Sequence, residues 1–288
     1  RHKMCNLFLI LTPPSSRHSL ILLSNRDEVL ARPTAEAAWR DGVLAGIDLQ
    51  DKMRGTWFGI NEQGKIGLLL CITQRSDQRR DDAIPRVHLE TLRCTPSLIS
   101  SSMKSRQKSG REVRMNMFLS FFAEGSFLSL IFSVYSNIIV FLTSPSTKSA
   151  KTVNISSTHV VGNCPPHKTY VKLERGRKLL EETLEGIEEE ANSHEIAEAL
   201  FKMGQDQELC FPDAQISSQV DEYDPRDLAT IFMRIGSPAW YGTRSQTALI
   251  VNNDGSSFVS ERRLISIGHD LKEHWESQDF HFQLPSRT

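Results

Sequence analysis

The apolar runs of this chain come in pairs, and each pair brackets a turn. Residues 6–11 and 20–24 are separated by Thr12-Pro13-Pro14-Ser15-Ser16, which reads as a hairpin connection. Residues 56–60 and 65–73 flank Asn61-Glu62-Gln63-Gly64, whose glycine can take a positive φ. Toward the other end, 247–252 and 257–263 flank Asn253-Asp254-Gly255, the clearest turn signal in the chain. Residues 280–284 alternate and read as a final strand. Between the first two pairs, Arg32-Pro33 and Asp41-Gly42 punctuate loops.

Helical spacing is confined to the second half. Residues 170–191 repeat Val171, Leu173, Leu179, Leu180, Leu184 and Ile187 near the helical period, with dense charge elsewhere. Ser193 reads as an N-cap for a helix over 194–203, with Glu195 favourable in its first turn. Asp224-Pro225 reads as a cap and first position of a short helix running to about Met233. Hairpins at both ends with helices grouped between them imply a mixed α/β (α+β) protein, with antiparallel sheets layered against helices rather than a doubly wound parallel sheet.

One stretch needs a decision between sheet and membrane. Residues 117–142 are rich in Phe, Leu and Ile and long enough to cross a bilayer. Glu124-Gly125 interrupts them, and charge in a span is expensive, so we expect buried strands over 117–123 and 127–142 around a turn at Glu124-Gly125-Ser126. Residues 75–86 are strongly charged and read as solvated. Residues 97–114 are rich in Ser, Lys and Arg and read as a loop or weak helix.

The 288 residues suit one sizeable domain, expected over 4–288, with an insertion-like stretch at about 87–116. Arg1-His2-Lys3 precede Met4, which we expect to be the natural start. The 34 basic and 35 acidic residues balance to a net charge of −1, which excludes a general attraction to nucleic acid or to an anionic membrane. The five cysteines are scattered and form no Cys-x-x-Cys pair. Reduced thiols are therefore expected, with no disulfide framework and no structural metal.

Three segments carry chemistry. Asn25-Arg26-Asp27-Glu28 directly follows an apolar strand, where charge beside the core must be paired. An arginine between carboxylates can hold a planar anion or orient a nucleophile; the same run can also be a surface turn with its own ion pair. Cys5 becomes the first residue if Met4 is removed, and its α-amino group can then take the thiol proton. With Met4 in place Cys5 is equally a small buried strand residue. Finally, Tyr241-Gly242-Thr243-Arg244, a glycine turn entering a strand, presents Arg244 as an anion contact.

Met4-Cys5, Asn25-Arg26-Asp27-Glu28, Arg32-Pro33, Gly55-Thr56-Trp57-Phe58-Gly59-Ile60, Tyr241-Gly242-Thr243-Arg244 and Ser260-Glu261-Arg262 occur in the order of the NRDE family, the transport and Golgi organization 2 proteins, which this chain resembles over most of its length. The resemblance implies an N-terminal-nucleophile (Ntn) hydrolase-like fold, two antiparallel sheets between helical layers. It also implies a distant likeness to choloylglycine hydrolases and penicillin V acylases, whose cysteine attacks an amide carbonyl. Carried over by position, Cys5 matches the nucleophile, Arg26 and Asp27 the orienting pair, Asn163 the oxyanion asparagine and Arg244 the late arginine. The segment around Asn163 departs from the family's Gly-Leu-Ser-Asn.

The resemblance further implies an intracellular haem chaperone or carrier, in cytosol or mitochondria, that exchanges haem as cargo with donor and acceptor proteins or membranes and is not itself an integral membrane protein. Asn25, Arg26, Glu28, Trp57, Trp240 and Arg244 are then the expected ligand contacts. The guanidinium groups would hold carboxylates and an indole would cover a flat face. His159, Cys164 and His167 cluster around Cys164-Pro165-Pro166; His159 or Cys164 is the expected iron ligand, against the reading of the segment as a plain loop with an unreactive cysteine. The alternatives are a working cysteine amidohydrolase and a Golgi-associated factor of the secretory pathway.

Overall fold

The computed structural model describes residues 4–12, 16–50, 52, 54–78, 127–133, 139–143, 151–153, 158–165, 168–268 and 270–285. Fourteen strands in these residues build two antiparallel sheets of seven strands each. The first sheet is assembled from both ends of the chain. It runs β10 (Thr158–Val161), β1 (Asn6–Leu11), β2 (His18–Val29), β12 (Tyr241–Asn252), β13 (Ser256–Ile267), β14 (Glu273–Gln283), with β11 (Arg234–Ile235) paired to β12. The second is a meander in chain order: β3 (Thr34–Arg40), β4 (Val43–Asp48), β5 (Phe58–Asn61), β6 (Lys65–Cys71), β7 (Phe127–Ser133), β8 (Ile139–Thr143) and β9 (Lys151–Val153).

Strand alternation explains the layers. In β2, Leu20 and Leu22 point between the sheets, where they meet Leu7, Leu9, Leu44, Ile60, Ile66, Leu68 and Leu249. Ile21 and Leu23 point the other way, against Phe201, Leu200, Ile196 and Leu180. The last four residues lie on α1 (Val171–Glu185) and α2 (Ser193–Met203), which cover the outer face of the first sheet. A third helix, α3 (Ala214–Gln219), contributes Ile216 to a smaller core with Met4, Tyr170, Met233 and Tyr241. Two antiparallel sheets with few helices are the expected α+β class.

Several boundaries differ from the sequence reading. Strand β2 does not stop at Ser24 but carries Asn25, Arg26, Asp27 and Glu28 within it. Asp41-Gly42 is not a loop but the two-residue turn of the β3/β4 hairpin, both residues at positive φ (49° and 76°), as a type I′ turn requires. The N-cap of α2 is Asn192, not Ser193. Its side chain accepts from the backbone of His194 and Glu195, while Glu195 accepts the Asn192 N–H, completing a capping box. After Asp224-Pro225 only a 3₁₀ turn over Pro225–Leu228 forms. The apolar run at 127–142 is two strands, β7 and the start of β8, rather than one. The last strand is 11 residues long, starting at Glu273. The expectations for 79–126, which include the strand at 117–123, and for His167 fall outside the described residues.

Candidate functional site

Because Asn25-Arg26-Asp27-Glu28 continues β2, its four side chains divide between the two faces of the sheet. Arg26 and Glu28 point between the sheets, in line with Leu20 and Leu22; Asn25 and Asp27 point toward the helices, in line with Ile21 and Leu23. All four are buried.

On the inter-sheet side a small cavity is lined by Cys5, Arg26, Asp27, Glu28, Trp57, Leu69 and Cys71. Its volume of about 20 Å³ is room for one water. The Arg26 guanidinium carbon lies 4.0 Å from the Trp57 ring centroid, a cation–π arrangement. Arg26 Nη2 is 3.9 Å from Glu28 Oε2, and Glu28 Oε2 is 3.6 Å from Arg32 Nε. Arg32 in turn forks onto Asp48 of β4 at 2.8–3.2 Å, which ties the two sheets together. The buried Glu261 of β13 also reaches across, accepting the Ala37 N–H at 2.9 Å.

Cys5 stands just before β1. Its Sγ accepts the Asp27 N–H at 3.4 Å and faces the Asp27 carbonyl at 3.6 Å. Burial and the neighbouring Asp27 charge push this thiol up to about 12, so it is protonated at neutral pH. Its nitrogen is acylated by Met4, which is fully buried among Cys164, Tyr170, Leu173, Met233 and Tyr241. The Met4 N–H donates to Tyr241 Oη at 3.1 Å, and that hydroxyl donates to the Asp27 carbonyl at 3.1 Å.

On the helix side, Asp27 Oδ1 accepts from Thr243 Oγ1 at 2.6 Å, and Thr243 Oγ1 accepts from the Met233 N–H at 3.0 Å. Asp27 Oδ2 has no hydrogen-bond partner among the described residues. The strongest charge acting on Asp27 is Lys172, in the first turn of α1. Lys172 is fully buried, with Nζ donating to the Thr230 carbonyl at 3.1 Å and 3.7 Å from Met233 Sδ. Burial pushes Asp27 up to about 7, against the opposing pull of Lys172 and Thr243, and pushes Lys172 down to about 8. Asn25 holds structure on this face: it donates to the Gly204 carbonyl at 2.8 Å and accepts from Gln246 at 3.0 Å.

The remaining expected residues lie around this centre. Arg244 occupies a bulge between Thr243 and Ser245, is not among the cavity's lining residues, and donates to the carbonyls of Val29 and Arg32 and to Thr34 Oγ1. Asn163 is buried; its Nδ2 donates to the Cys71 carbonyl while its own carbonyl accepts the Thr73 N–H at 2.8 Å. Trp240 is 41% exposed on the turn before β12, outside the cavity. His159 pairs with Leu9 on β10, four residues from Cys5 along β1, or about 13 Å at the usual strand rise. Burial and Arg177 push its imidazole down, toward the neutral form. Cys164 is buried in the Met4 cluster, its Sγ 3.1 Å from the Lys168 carbonyl and its thiol pushed up to about 11 by burial. His159 and Cys164 therefore do not line the Cys5 cavity.

Sequence reasoning missed Lys172, Thr243 and Cys71. Thr243 sits in a motif already singled out, but Lys172 looks like one more charge on a charged helix and Cys71 like one more apolar strand residue.

The fold and site define a class: a double antiparallel sandwich whose seam holds a thiol from just before the first strand and a guanidinium and a carboxylate from the second. The family model described as Transport and Golgi organisation 2 matches residues 4–266, and the chain belongs to that family. The Transport and Golgi organization protein 2 homolog of Homo sapiens is 27% identical over 290 residues, covering 98% of this chain and 100% of that protein. The Drosophila melanogaster Transport and Golgi organization protein 2 is 24% identical over 92% of this chain and 93% of its own length. Among solved structures, a mutant conjugated bile acid hydrolase from Clostridium perfringens aligns over 98% of this chain and 99% of its own, at 10% identity and a TM-score of 0.46. Among the described residues no helix is long and apolar enough to cross a membrane, and no group of three or more His, Cys, Asp or Glu is placed to hold a metal ion.

Proposed function

We propose that this chain binds and hands on a planar anionic cargo, haem, at the Cys5–Arg26 seam, and does not hydrolyse amides while Met4 is in place. The observation that carries this reading is the state of Cys5. Its nitrogen is a peptide nitrogen buried under Met4, and its thiol is pushed up to about 12. An N-terminal-nucleophile hydrolase needs a free amine beside a thiol that can lose its proton. What remains is a cation over an indole, beside a soft sulfur, which suits carriage. Arg26 would meet a propionate and Trp57 would offer its edge to the ring. The cavity holds about one water, so the reading requires the Trp57–Cys71 wall to part when cargo enters. Partners would be haem donors and acceptors in cytosol or mitochondria.

Titration of the full chain with haem, read by Soret absorbance, tests the proposal. Saturable one-to-one binding, weakened at least tenfold by Arg26→Ala, is the expected result. Arg244→Ala should act only indirectly, through the Val29–Thr34 connection. Binding unchanged by Arg26→Ala would remove the seam as the site.

A second reading has its own observation. Tyr241 Oη bridges the Met4 N–H and the Asp27 carbonyl, so loss of Met4 would leave a Cys5 amine beside Asp27 and Arg26. Intact-mass measurement of the protein from cells decides: retention of Met4 ends the hydrolase reading. Removal of Met4, with electrophile labelling lost on Cys5→Ala, would revive it.

A further inference from the structure

We propose that Cys5 and Cys71 form a redox-sensitive thiol pair, a modification site at which a disulfide seals the seam cavity and ties the first sheet to the second. Cys5 immediately precedes β1 of the first sheet; Cys71 is the last residue of β6 in the second. Both line the same cavity, whose volume of about 20 Å³ is room for one water. As residues both are half-buried, whereas Cys164 and Cys210 are buried elsewhere, in the Met4 core and beside Glu208. The two thiols also sense each other, since Cys71 adds to the upward push on Cys5. The two contacts of the Cys5 sulfur to the Asp27 backbone are long, at 3.6 and 3.4 Å.

The reaction is thiol–disulfide exchange with a small-molecule disulfide such as oxidised glutathione. The Cys71 thiolate attacks one sulfur of the oxidant, forming a mixed disulfide and releasing one thiol. Cys5 then gives up its proton and attacks the Cys71 sulfur, and the second small thiol leaves. Two protein thiols are oxidised to one disulfide, and one oxidant disulfide is reduced to two thiols. Burial holds the Cys5 thiol protonated, which suits it to the second, resolving step. The product carries no free sulfur at the cavity, so the modified protein has a closed seam.

This inference goes beyond cargo binding, and its test involves no cargo. The full chain is equilibrated with oxidised glutathione, free thiols are alkylated, and peptides are mapped by mass spectrometry without reduction. The expected product is a Cys5–Cys71 peptide pair lighter by two hydrogens than the reduced peptides together, and reversed by dithiothreitol. Cys71→Ser should abolish it, and Cys164→Ser should leave it intact. Recovery of both Cys5 and Cys71 as alkylated free thiols, or of Cys5 joined to a different cysteine, would overturn the proposal. Because the pair is identified directly in the unaltered protein, misfolding of a variant leaves the test intact. A positive peptide map beside a negative haem titration would refute carriage alone.

Discussion

Thr243 is the residue whose loss should be most informative. It is fully buried, and its one hydroxyl both donates to Asp27 Oδ1 at 2.6 Å and accepts the Met233 N–H at 3.0 Å. Thr243→Val keeps the shape and removes both bonds. A hydrogen bond to a charged group contributes about 1.5–3 kcal/mol, and a buried N–H left unsatisfied costs about 1–3 kcal/mol, so the sum is roughly 2.5–6 kcal/mol. For a chain of this size that corresponds to a fall in Tm of roughly 5–24 °C. The penalty should depend on pH. Burial already holds the Asp27 carboxyl up to about 7, and removing a donor raises it further. Below that value the group is increasingly neutral, and only weaker, uncharged hydrogen bonds are lost. Urea unfolding at pH 5.5 and pH 8 should therefore give a larger destabilisation at pH 8. Thr243→Ser keeps the hydroxyl and should cost about 1 kcal/mol for the lost methyl. Equal losses for Val and Ser, or a Val penalty that does not grow with pH, would refute the charge-based account.

Other outcomes follow from the same contacts. Lys172 has a folded pKa pushed down to about 8, below its unfolded value, so between that pH and about 10.5 the unfolded chain binds the extra proton and stability rises with pH; Lys172→Met should remove that rise in urea titrations. A Cβ at Gly204 would fall 2.6 Å from Leu23 Cδ2, 2.7 Å from Gln246 Nε2 and 3.1 Å from Asn25 Oδ1, so Gly204→Ala should destabilise by about 1–3 kcal/mol through overpacking, measured by thermal unfolding. Asn192→Ala removes one side of the capping box and should cost about 1 kcal/mol in the same assay, with no change in Cys5 alkylation.

The sheets were legible where turn chemistry and apolar alternation agreed. The β5/β6 and β12/β13 turns carry Gly64 and Gly255, both at positive φ, as glycine there foretells. Hairpin β3/β4 carries the same kind of signal in Asp41-Gly42, but its first strand, with Glu36 and Arg40 among small alanines, has no apolar run to flag it. The polar run after Ser24 signals a strand end in the sequence, yet β2 continues through it to Val29. Its four polar residues are buried, since partners wait on both faces: Arg32 and the Trp57 ring on one, the Thr243 hydroxyl and Lys172 on the other. The convergence of Cys5, Arg26 and Asp27 could be anticipated from a hairpin that places residue 6 opposite residue 25. The position of Arg244 could not, because a bulge shifts its side chain off the alternation and onto the carbonyls of the β2–β3 connection.

The chain-end composition of the first sheet sets an order of events during synthesis. The second sheet is a meander of neighbours, so each strand can pair soon after it leaves the ribosome. Strand β2 must wait for β12, which begins at Tyr241, more than two hundred residues later. At roughly 5–20 residues per second that is an interval of tens of seconds. During it, the edge that will receive β12 stays open on a nascent polypeptide whose Leu20–Leu23 run invites pairing with any other extended chain. Ribosome-associated holdases are thus expected to matter more for this protein than for one whose sheets grow in sequence order.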